Sequence, residues 1–121
     1  MKLRKSCLSL EHKTKLKFEA EKLFLEWINA LKIKLYRISD DYSKITSQSS
    51  IPKLVFFFKK DSDLENYVNS GVVEQIKEKY LQLLEQVGYA SMYDVSKIEI
   101  EFDTHENVKR NFKGNYMYRL T

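Results

Sequence analysis

The chain has 121 residues, 43% hydrophobic and 31% charged, enough for one compact domain that buries its own core without disulfides or metals. Its single cysteine, Cys7, cannot close an internal disulfide, and no stretch approaches the roughly 20 apolar residues of a membrane span, so residence in the cytoplasm without membrane insertion is expected. The net charge of +4 raises the question of a nucleic-acid partner, but the excess is mostly lysine near the N-terminus, whereas 61–85 is net acidic; lysine solubilises, while arginine is the residue of planar phosphate recognition.

The chain reads as a single domain over 1–121, in which residues 1–8, with Lys2, Arg4 and Lys5, are expected as a disordered basic tail. From Ser9 to Ile45, apolar residues recur every three or four positions at Ala20, Phe24, Trp27, Leu31, Leu35, Ile38, Tyr42 and Ile45, with Leu23 and Ile28 widening the stripe. This spacing predicts one long amphipathic helix. A strand after Ala30 is the competing reading, because Leu31-Lys32-Ile33-Lys34-Leu35 also alternates with period two. A polar break from Thr46 to Ser50 precedes Pro52. The run Leu54 to Phe58, apolar at every position, predicts a central strand covered on both faces.

Ser62 with Glu65 fits a capping box that opens a helix. Gly71 interrupts it, and a second helix carries Val73, Ile76, Tyr80, Leu83, Leu84 and Val87 on one face before closing at Gly88. Tyr89 to Asp94 is a connector. Lys97 to Asp103 then alternates, which assigns Ile98, Ile100 and Phe102 inward and Glu99, Glu101 and Asp103 outward. Asp103 with Glu106 repeats the capping arrangement ahead of a short helix over 104–112 closed by Gly114, and Asn115 to Leu120 is assigned as a third strand. The result is an α/β (α+β) domain of order α-β-α-(α)-β-(α)-β, helices layered on a small three-stranded sheet of open strand order.

The densest ionisable cluster is Asp103-Thr104-His105-Glu106. A metal site needs three or four ligands, and with two histidines and one cysteine in the chain no second cluster completes one. A strand end followed by a cap is the preferred reading. Cys7 and His12 are poorly placed for a nucleophile pair, and Asp40 and Asp41, adjacent on the expected helix, do not face each other. The three glycines, at 71, 88 and 114, stand alone, so no phosphate loop or dinucleotide fingerprint is present. No catalytic residue, metal ligand or cofactor is therefore assigned. Tyr116 and Tyr118 beside Arg119 suit base stacking, but the outward row Glu99, Glu101 and Asp103 would repel phosphate. That row, with Glu74 and Glu78 and the Tyr116/Tyr118 strand, is instead assigned as the partner-binding surface for a protein.

The segments FFFKKDSDLENYVNSGVVEQIKEKYLQLLEQVGY (56–89) and FDTHENVKRNFKGNYMYRLT (102–121) resemble small bacterial immunity proteins of polymorphic and contact-dependent growth-inhibition toxin systems. The FD-T-HEN run and the terminal GNYMY are the most distinctive parts. The resemblance implies a non-enzymatic module that binds and neutralises one cognate toxin domain; it carries no site residues with it. A small basic nucleic-acid-binding protein is the alternative. The pattern specifies no oligomeric state.

Overall fold

The computed structural model describes residues 2–41, 53–89 and 98–120. The polar break at 46–50, Pro52 and the connector at 90–94 lie outside the described residues, as do the side chains of Cys7, His12, Asp40 and Asp41. The elements are α1 (Lys2–Ala30), β1 (Leu35–Asp41), β2 (Lys53–Phe58), α2 (Asp61–Asn69), α3 (Val72–Gln86), β3 (Ile100–Thr104), α4 (His105–Phe112) and α5 (Tyr116–Arg119). They divide into two compact units, Met1–Lys32 with Ile76–Val95, and Ile33–Gln75 with Ser96–Thr121.

In the first unit α1 is helical from Lys2, so the backbone of the segment read as a tail belongs to the helix. Leu16, Ala20, Phe24 and Ile28, four apart, are its buried line, one side of a 3.6-residue period. Phe24 sets its ring edge-on to Tyr80 at 5.3 Å and stacks with Trp27 at 6.1 Å. From the other helix Ile76, Tyr80, Leu83 and Leu84 are buried, as the periodicity of 73–87 requires. The helix does not run on to Ile45. It stops after Ala30, where Lys32 takes the left-handed conformation (φ 57°) and its N–H bonds the Asn29 carbonyl at 3.1 Å. Leu31, placed on the stripe by its spacing, is 52% exposed.

The second unit is a three-stranded mixed sheet of order β1-β2-β3, β1 antiparallel and β3 parallel to β2. The competing strand reading of the segment after Ala30 is thus the one realised from Leu35: pairing with β2 along Leu35↔Phe58 to Asp41↔Lys53 outweighs the local three-four spacing. Central β2 is buried from Leu54 to Phe58 on both faces, as expected. One face sets Phe56 and Phe58 against Phe102 of β3, with ring centroids 5.7 and 6.1 Å apart, and Phe58 against Tyr67 of α2 at 5.0 Å. The other face is Val55 and Phe57, packed with Val108, Phe112, Tyr116 and Leu120.

The C-terminal segment that supplies Tyr116 is the short helix α5 and not the third strand assigned to it. The Asn115 side-chain oxygen starts α5 by accepting from the Met117 and Tyr118 N–H groups at 2.9 and 3.3 Å. Both expected caps are also displaced, the first from Ser62 back to Lys60 and the second from Asp103 on to Thr104. Lys60, without a side-chain bond, precedes α2, and the first helical N–H, that of Asp61, is satisfied across the fold by Glu106 Oε1 at 2.7 Å. Thr104 is the N-cap of α4, its hydroxyl accepting from Asn107 N–H at 3.0 Å. Lys113 (φ 55°) and Gly114 (φ 76°) close α4, with Gly114 N–H reaching the Val108 carbonyl at 2.9 Å. Gly71 (φ 81°) provides the break expected between α2 and α3.

Phe57 is the ring on which the C-terminal helices close, so Phe57→Ala should lower unfolding free energy by about 3–5 kcal/mol. A denaturant midpoint equal to wild type would contradict this packing.

Candidate functional site

Register decides where the acidic row points. Val55 pairs with Glu101 and Phe57 with Asp103 in the parallel ladder, and paired residues share a sheet face. Glu101 and Asp103 therefore lie on the face that α4 and α5 cover, contrary to their outward assignment; Asp103 is only 9% exposed. Alternation tells which side chains share a face, not which face the chain later covers.

The cover is held by Arg119. Its Nε donates to Asp103 Oδ2 at 2.5 Å and its Nη2 to Glu101 Oε1 at 3.0 Å, while Lys53 Nζ lies 2.6 Å from Glu101 Oε2. The guanidinium carbon lies 5.9 Å from the Phe57 ring centroid and 6.0 Å from that of Phe112. Asp103 also accepts from Thr104 N–H at 2.7 Å and from Asn107 Nδ2 at 2.9 and 3.1 Å. The hydrogen bond from Lys53 lowers the Glu101 carboxyl pKa against the opposing effect of burial, and the Arg119 and Lys53 charges add to it. Burial disfavours the Arg119 cation, but the Asp103 hydrogen bond and the two carboxylate charges outweigh it, so the guanidinium pKa is raised.

Beyond the carboxyl ends of the parallel strands lies an open hollow of about 440 Å³ whose polar lining includes Asp61, Asp103, Thr104, Asn107 and Arg110. Thr104 Oγ1 donates to Asp61 Oδ1 at 2.5 Å, and Arg110 Nη1 donates to Asp61 Oδ2 at 2.9 Å. These two bonds, Thr104 first, hold the Asp61 carboxyl below its usual range, with burial opposing and the Arg110 charge assisting. Lys59 carbonyl accepts Glu106 N–H at 3.2 Å, so the loops after β2 and β3 are tied together in both directions. Asp103 and Glu106 are thus each committed to a different partner, and neither meets His105. Among the described residues no group of three or more His, Cys, Asp or Glu could hold a metal ion.

His105 belongs to an aromatic cluster instead. A β-bulge between Leu35 and Arg37 adds one residue to β1, which brings Tyr36 and Arg37 to the same side where a regular strand would oppose them. Tyr36 stacks on His105 at 4.5 Å; His105 Nδ1 lies 2.7 Å from Tyr116 Oη; and Arg37 lies over the Tyr116 ring at 4.1 Å. Phe57 supports Tyr116 edge-on at 4.9 Å. Burial pushes the Tyr116 hydroxyl pKa up, Tyr36 and Asp103 adding to the effect and Arg37 opposing it. Tyr36 is 48% exposed, and α5 exposes Met117 (75%) and Tyr118 (64%). The sequence pattern singled out Tyr116 and Tyr118 but not Tyr36, Arg37 or Met117, because the helix assigned over 31–38 hid the bulge. Glu99 is exposed, and so are Glu74 and Glu78, four apart on α3.

Comparison with protein-family models, with curated proteins and with solved structures found no match. Among the described residues no helix is long and apolar enough to cross a membrane.

Glu101 and Asp61 both titrate below their ordinary values of 4.5 and 3.8. Their contribution to stability is therefore complete above those values and is lost as pH falls through the lower, folded-state ones. The urea midpoint should fall as pH drops below about 4.5, less steeply in Glu101→Gln than in wild type. A midpoint constant across that range would contradict the assignment.

Proposed function

We propose that the chain is a non-enzymatic protein-binding module whose partner is a bacterial toxin domain, neutralised by docking in the cytoplasm. One observation carries the binding reading: Tyr36, Arg37 and Met117 are exposed on or beside a pre-stacked aromatic support. Tyr, Arg and Met are enriched at the centres of protein interfaces. Stacking of Tyr36 on His105 and of Arg37 on Tyr116 removes in advance some of the side-chain freedom that binding would otherwise cost. The mutual bonding of Asp61, Asp103, Thr104, Asn107 and Arg110 supports docking over bond-making chemistry. The toxin as partner is suggested by the resemblance of 56–89 and 102–121 to immunity proteins.

The test reads the neighbouring reading frame for a toxin-like domain and titrates the purified chain with that domain by calorimetry; a neighbouring frame without one would contradict the toxin partner. Tyr36→Ala and Met117→Asp should each weaken the complex about 30-fold, the effect of losing a contact of about 2 kcal/mol, with unchanged thermal midpoints. Wild-type affinity in both variants would contradict the placement of the surface. Absence of any binding by the wild-type chain would contradict the toxin partner.

A further inference from the structure

Beside the aromatic cluster, between the start of β1 and the β2–α2 loop, is a hollow of about 390 Å³ lined by Lys34, Tyr36, Lys59, Lys60, Ser62 and Asp63, among others. We infer that this hollow receives the carboxylate side chains of an acidic segment on the partner protein, an inference that rests on the protein-binding reading above and specifies the partner's chemistry.

The charge is one-sided. Lys34, Lys59 and Lys60 are exposed and form no ion pair among the described residues. Arg37, next along β1, donates its Nε to the Ser39 hydroxyl at 2.8 Å and lays its plane on Tyr116, with no carboxylate partner among the described residues. Asp63 is the one carboxylate among the lining residues. Asp61 and Glu106 are occupied, Asp61 by Thr104 and Arg110, and Glu106 by the Asp61 N–H. The walls are fixed: Lys34 N–H donates to Tyr67 Oη at 3.0 Å, and the Lys59 carbonyl holds α4. Three ammonium stems thus rise from tethered backbone around an exposed tyrosine.

A hollow of this volume takes one or two side chains. Nucleic acid would carry a charge at every nucleotide, and α2, which follows the β2–α2 loop, opens with Asp61 and Asp63 and carries Glu65. A segment with acidic residues among apolar ones avoids that repulsion, meets the lysines as point charges and places an apolar neighbour on Tyr36.

The test uses the full chain, observed by its amide resonances and titrated with a short synthetic peptide of glutamates and one phenylalanine. Shifts are expected at Lys34, Tyr36, Lys60 and Ser62, absent with the glutamine analogue and suppressed by salt. Shifts confined to other regions, or tighter occupancy of the same amides by a single-stranded oligonucleotide, would overturn the inference. In the toxin-domain complex, the combined Lys34→Glu, Lys59→Glu and Lys60→Glu variant should associate about tenfold more slowly. If it associates at the wild-type rate while Met117→Asp weakens the complex, the hollow is excluded and the protein-binding reading stands. If the peptide binds here but the toxin domain does not bind at all, the hollow stands and the toxin partner falls.

Discussion

The second unit depends on one arginine meeting a buried carboxylate, Asp103, and a partly exposed one, Glu101. β3 places Glu101 and Asp103 on the same face as Val55 and Phe57, and the apolar side chains there demand burial while the acids resist it. An unpaired buried carboxylate costs several kcal/mol, so Val108, Phe112, Tyr116 and Leu120 can close over Phe57 only if a cation arrives with them. Arg119 is that cation, carried on the same four-residue helix as Tyr116. Its planar fork reaches both acids at once, which a lysine ammonium does not reproduce.

Two consequences reach the surface. Tyr116, fixed between Phe57 and Arg37, offers its hydroxyl to His105, and His105 in turn supports Tyr36. The exposed aromatic surface is therefore the outer layer of a stack whose base is the sheet core. At the carboxyl ends of β2 and β3, the exchange between Glu106 and Asp61 and between Lys59 and Glu106 ties two loops that a parallel pair would otherwise leave side by side without contact. That tie fixes the backbone of the β2–α2 loop relative to the start of α4.

Legibility in the sequence followed the range of the interactions. The central strand was readable because five consecutive apolar residues, Leu54 to Phe58, have no other good environment in a small domain. The α3 face and its glycine stop were readable because both are local. The segment from Leu31 to Ile38 carried a helical and a strand period together, and only pairing with β2 chose between them. At the C-terminus the spacing 108, 112, 116, 120 was present but masked by the alternation of Tyr116 and Tyr118 with their neighbours. The acidic row failed for a different reason: its alternation was real, but which face receives cover was set by an arginine 16 residues beyond Asp103. The bulge that turns Tyr36 beside Arg37 left no composition signal, so the exposed aromatic surface was only half visible, through Tyr116 and Tyr118.

The most direct measurement of the central claim is a double-mutant cycle between Arg119→Met and Asp103→Asn, read from denaturant unfolding. Two largely buried, hydrogen-bonded charges should show a coupling of about 2 kcal/mol, with the double variant less destabilised than the sum of the single ones. A coupling near zero, with the two single effects simply adding, would mean that Arg119 does not hold the C-terminal helices to β3.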